Sequence, residues 1–136
     1  MSTLKLPEVY IGKKLTIKHC KNAIKSFSKA LTHVEPRKQL KFTGQIISQI
    51  KKIADEGDGA VSLQNFPWEG KLPKQSKRFR ALKRIPIRGY CWCSDLHPNT
   101  YFISHYIYKD FDKLDPSDEK KVCSNWTRIE ENLDEC

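Results

Sequence analysis

No apolar run in this chain approaches the roughly 20 residues that a membrane-spanning helix needs. The opening MSTLKLPEVYIGKK has neither the apolar core nor the small-residue cleavage site of a secretory leader. No membrane partner and no leader are therefore expected. Five cysteines are an odd number at spacings that suit no secreted disulfide framework, which points to a reducing cytoplasm. The Cys91-x-Cys93 pair is poor zinc spacing, His97 and Cys123 complete no credible set of four ligands, and no metal or other cofactor is expected. There is no internal repeat. Acids, too, are missing over one long stretch: between Glu69 and Asp95 there is none, while Lys71, Lys74, Lys77, Arg78, Arg80, Lys83, Arg84 and Arg88 crowd in.

What is present suits one soluble domain spanning residues 1–136. A chain of this length buries roughly two-thirds of the surface it exposes when unfolded, so it needs no staple. The net charge of +9 favours a polyanionic partner, nucleic acid or acidic protein. That charge is uneven. Residues 1–56 carry 12 bases against 4 acids, and residues 110–136 carry 9 acids against 4 bases.

An N-terminal segment, residues 1–13, includes a short possible strand over residues 8–11. Residues 14–56 read as two helices. The first has a stripe of Ile17, Cys20, Ile24, Phe27, Leu31 and Val34. The second opens at Pro36, carries Leu40, Ile46, Ile47, Ile50, Ile53 and Ala54, and ends at Gly57. Residues 57–77 form a connection, tethered by Phe66 and Trp68, with a short strand expected near residues 61–63. Residues 78–109 make the sheet: a basic strand, a turn at Pro86 and Gly89, a second strand at residues 90–93, a turn over DLHPN, and then TYFISHYIY. A closing helix over residues 115–133 starts with Asp115 as N-cap and Pro116 at the first position, with Val122, Trp126, Ile129 and Leu133 on its apolar stripe. The expected fold is α+β, a small antiparallel sheet packed on two N-terminal helices with a C-terminal helix. Strict alternation would put Tyr101, Ile103, His105, Ile107 and Lys109 on one sheet face, and Phe102, Ser104, Tyr106 and Tyr108 on the other. One face would cover the helices and the other could stay open.

Cutting RNA without a metal requires a base for the 2′-hydroxyl, cations for the charged transition state and an acid for the leaving 5′-oxygen. His105, Tyr108, Lys109 and the arginines provide those types. A solvated basic face, or one that binds nucleic acid without cutting it, uses the same residues, and a buried hydrogen-bonded His105 is the plain alternative to a catalytic one.

The order of helix, helix, basic strand, RGYCWC hairpin and FISHYIYKDFDKLDPSDEKKVCSNWTRIE resembles the RelE/HigB-like toxins of type II toxin–antitoxin systems (the RelE/ParE superfamily), over roughly residues 40–131. The resemblance implies a RelE-like domain and a cytoplasmic endoribonuclease that cleaves mRNA, in many relatives on the ribosome, and that an acidic antitoxin neutralises. Carried over, it makes Arg84, Arg88, His105, Tyr108 and Lys109 the candidate catalytic set and Lys77, Arg78, Arg80 and Lys83 RNA contacts. Cys91 stands where many relatives have arginine, so either Arg88 substitutes for it or catalysis is weaker or different.

Overall fold

The computed structural model describes residues 5–74, 77–109 and 114–131. Its elements are β1 (Val9–Ile11), β2 (Thr16–His19), α1 (Ala23–Leu31), α2 (Pro36–Glu56), β3 (Trp68–Lys71), β4 (Arg78–Arg84), β5 (Ile87–Cys93), β6 (Thr100–Tyr108) and α3 (Pro116–Trp126). A π-helical turn, Thr127–Glu131, extends α3. The strands form one six-stranded sheet in the order β1-β2-β6-β5-β4-β3. All neighbours are antiparallel except β2 and β6, which run parallel.

This corrects the expected small antiparallel sheet behind two N-terminal helices. The sheet is larger and mixed, and two of its strands precede the helices. Residues 14–22 fit the helical stripe at Ile17 and Cys20, yet they also alternate, with Ile17 and His19 buried and Thr16 and Lys18 less so. Pairing decides between the two periods. The His19 amide donates to Glu8 on one side, and the Cys20 amide donates to Ile103 on the other. Asn22, in the left-handed region at φ 71°, then delays the helix to Ala23. The strand expected near residues 61–63 lies instead at Trp68–Lys71. Leu133 of the expected closing stripe lies outside the described residues, as do residues 110–113 of the segment that carries the resemblance.

Two apolar layers flank the sheet. One joins α1 and α2 (Phe27, Ala30, Ile46, Ile50, Ile53) to Ile17, Leu82, Ile87, Cys91, Ile103 and Tyr106. The other joins Val122, Trp126 and Ile129 to Phe79, Tyr90, Trp92 and Phe102. The second face is therefore covered, against the expectation that it could stay open. Burying Val122 and Ile129 alone is worth roughly 1.5–3 kcal/mol each, so α3 is an integral layer. Two glycines permit close approaches. Gly12 brings the β1–β2 turn against Ala54 of α2, and Gly89 leaves room for the Tyr106 ring.

A bulge in β6 changes which side chains meet. Tyr90 opposes His105 and Cys91 opposes Ile103, so Ser104 is the extra residue. Past it the alternation resets. Tyr101, Ile103 and Tyr106 pack toward α1 and α2, whereas Phe102 and Ile107 pack toward α3.

Candidate functional site

On the α3 side the bulge turns two consecutive polar side chains into the layer beneath that helix. Ser104 Oγ lies 2.8 Å from His105 Nδ1, and His105 Nε2 lies 3.0 Å from Asp118 Oδ1. Asn125 Nδ2 donates to Ser104 Oγ at 2.8 Å, and Arg128 donates to Asn125 Oδ1 at 3.3 Å. A guanidinium only donates, so Asn125 turns its oxygen to Arg128 and its amide to Ser104. Ser104 Oγ and Asp118 Oδ1 partner the two ring nitrogens of His105, which is 2% exposed, an arrangement that suits a structural role.

The other cationic candidates on this side are also enclosed. Arg88 is 1% exposed and meets Glu69 at 3.2 Å. Lys109 is 4% exposed, and its amide donates to the Pro86 carbonyl. Tyr90 stands among these charges; burial, then Asp118 and Glu69, push its phenol upward, against the pull of Arg88. Lys83, half-buried, sits opposite Arg88 in the ladder. Of the expected catalytic set, His105 thus lies under α3, and Arg88 and Lys109 are buried as well.

Arg84 and Tyr108 lie elsewhere. Both flank the buried Ile87 on one rung of the ladder, Arg84–Ile87–Tyr108, and so share the α1/α2 side. Tyr108 is 39% exposed. His33, in the turn between α1 and α2, is exposed with its ring 5.1 Å from that of Tyr108. Arg84 is half-buried, and its Nε has no hydrogen-bond partner among the described residues. A small cavity of about 230 Å³, lined by Gln45, Gln64, Asn65, Lys83, Arg84 and Ile85, opens beside it. Tyr108 and His33 thus meet at one end of the sheet, with the half-buried Arg84 two strands away across Ile87.

The expected RNA contacts divide. Arg80 is a structural residue: it donates twice to the Phe66 carbonyl, at 3.1 and 2.8 Å, and stacks between Phe66 (3.7 Å) and Trp68 (4.5 Å). Lys77 and Arg78 are accessible, and with Trp68 and Cys93 they line a cavity of about 410 Å³. Trp68 is 46% exposed, so it packs on Arg80 and still presents a free surface. Among the described residues no group of three His, Cys, Asp or Glu side chains could hold a metal ion, and no helix is long and apolar enough to cross a membrane.

His33 was not among the residues singled out from the sequence. The signal that points to it is spacing: Lys21, Lys25, Lys29 and His33 follow one another at four-residue steps, inside a run from Val9 to Val34 that contains no acid. Comparison with known proteins adds no relative to this picture, since neither protein-family models nor curated proteins nor solved structures gave a match.

Proposed function

We propose that the protein is an endoribonuclease acting from the open end of the sheet, with Arg84, Tyr108 and His33 as its working groups. The observation that carries this reading is the contact of the exposed Tyr108 and His33 rings, 5.1 Å apart, on the same side of the sheet as Arg84. The residue resemblance to RelE/HigB toxins and the +9 net charge support it independently.

In this mechanism His33 takes the proton of a 2′-hydroxyl as that oxygen attacks the adjacent phosphorus. The Arg84 guanidinium, half-buried beside the small cavity, stabilises the non-bridging oxygens while their charge grows. The bond from phosphorus to the 5′-oxygen then breaks, and Tyr108 protonates the departing oxygen. The products are a 2′,3′-cyclic phosphate and a 5′-hydroxyl. His33 has gained one proton and Tyr108 has lost one, and exchange between the two neighbouring rings, or with water, restores both. On this reading the protein is the toxin of a toxin–antitoxin pair in the cytoplasm, its substrate is mRNA, free or on the ribosome, and an acidic antitoxin holds it inactive.

A second reading, RNA binding without cleavage, is favoured by the exposed Trp68 beside Arg78 and Lys77, an arrangement on which a base can stack while its phosphate is held. Mapping 5′ ends by primer extension on RNA from cells expressing the protein separates the two. New ends are expected with wild type. Arg84→Ala should lower cleavage about 100- to 1,000-fold, and Tyr108→Phe and His33→Ala about 100- to 10,000-fold, all three in folded protein. His105→Ala should instead lower the melting temperature. Wild type that binds RNA and leaves it whole would establish the second reading.

A further inference from the structure

A cavity of about 620 Å³ lies at the start of α1, away from the Arg84–Tyr108–His33 end. Lys18, Lys21, Lys25 and His97 stand around it, with Ile24 and Phe102 among its apolar lining. Among the described residues, Glu8 is the one acid in that lining. None of the three lysines is in an ion pair among the described residues. Its apolar side is packed from behind: Phe102 is stacked on Trp92 at 5.5 Å and meets the His97 ring edge-on at 5.3 Å. A site of this size with uncompensated cations on one side and an aromatic, apolar wall on the other suits a ligand that is anionic at one end and flat and apolar at the other.

We propose that this cavity binds a nucleotide, its phosphate among Lys18, Lys21 and Lys25 and its base against the side formed by Ile24, His97 and Phe102. The proposal rests on the reading of the protein as one that acts on RNA, and adds that the nucleotide is part of the strand being held. The ground for the addition is the row of Lys21, Lys25, Lys29 and His33. All four are exposed; Lys25 and Lys29 stand one turn apart on α1, Lys21 just precedes the helix and His33 just follows it, so the row runs from the cavity toward the proposed cleavage site. The nine residues of α1 advance about 13 Å, at about 1.5 Å per residue, a span that a strand of a few nucleotides covers. Phosphates of such a strand would meet one lysine per helical turn.

The test titrates the full ¹⁵N-labelled chain with uridine 5′-monophosphate, inorganic phosphate, uridine and a uridine hexanucleotide whose 2′-hydroxyls are methylated to prevent cutting. The monophosphate should shift the amide signals of Cys20, Lys21, Asn22, Lys25 and His97. Lys21→Gln combined with Lys25→Gln, both at exposed positions, should weaken that binding at least tenfold with the circular dichroism spectrum unchanged. The hexanucleotide should bind more tightly than the monophosphate and displace it. Inorganic phosphate matching the monophosphate, signals unmoved at the cavity, or unchanged affinity in the double variant would overturn the nucleotide site. Failure of the hexanucleotide to displace the monophosphate would overturn its place on the strand. Absence of RNA cleavage by wild type, with these shifts present, would reject the nuclease and leave the cavity assigned.

Discussion

At the scale of single residues, two buried histidines have different surroundings, and that of His19 imposes a pH dependence. Both ring nitrogens of His105 have side-chain partners. His19, 7% exposed, has the Tyr106 hydroxyl 2.7 Å from Nε2, and burial depresses its pKa to about 4, offset in part by the Pro7 and Glu8 carbonyls. An unfolded histidine titrates near 6.5. The folded state therefore binds fewer protons than the unfolded one between those values, and stability falls as pH drops from about 6.5 toward 4. The stabilisation is fully present above 6.5, and its complete loss is on the order of 3 kcal/mol. Thermal melts of wild type and His19→Gln from pH 7.5 to 4 should converge as pH falls, because the glutamine variant lacks this proton uptake. Parallel curves would refute the assignment. The sequence marked His105 as undecided between core and catalysis, since the same strand position serves either role. The structure adds a bulge that brings Ser104 and His105 to one side, and nothing in TYFISHYIY specifies where the register slips.

At the scale of elements, the long α2 and β6 were legible because each follows one strong period, and the α3 N-cap because Asp115 and Pro116 together are a local signal; Asp115 Oδ1 indeed accepts from the Ser117 amide at 2.9 Å. β2 was not legible, since its four residues obtain their hydrogen bonds from partners remote in sequence. The covered second face was missed for the same reason: amphipathic α3 shows that it packs, not on what. The π turn after α3 carries the clearest element-to-element tie. Glu130 accepts from Ser94 Oγ at 2.6 Å and from the amides of Asp95 and Leu96 at 2.8 and 3.0 Å, which fixes the β5–β6 loop to the helix end. Hydrogen bonds to a charged group contribute about 1.5–3 kcal/mol each in favourable settings. Glu130→Gln keeps one oxygen but points an amide at donors, so a net loss of roughly 2 kcal/mol is expected, with a melting temperature lower by about 4–10 °C. Urea titration should show the midpoint moving without a change of slope. An unchanged midpoint would mean that the loop holds its shape without the carboxylate.

At the scale of the whole molecule, the +9 charge has a direction. Lysines dominate the run that contains β2 and α1, while α3 opens with Asp118 and Glu119 in its first turn. The basic stretch at residues 70–94 attracts attention in the sequence, but folding takes Arg80 and Arg88 out of play, whereas Lys21, Lys25 and Lys29 stay exposed. Local charge density is therefore a poor guide to which cations face solvent, because burial selects among them. Counterion release makes this measurable. For single strands the slope of log affinity against log salt is about −0.7 per phosphate neutralised. If α1 lies along the strand, replacing Lys21, Lys25 and Lys29 together with glutamine should flatten the slope by about 2. Lys120→Gln with Lys121→Gln, exposed on α3 and away from that path, should leave it unaltered. Fluorescence anisotropy with a non-cleavable labelled oligonucleotide between 50 and about 300 mM salt, the range over which such slopes are steep, reads both. Equal slopes for the two variants would remove α1 from the interface and shift the search to Arg78 and Trp68, the accessible cation and aromatic at the other end of the sheet.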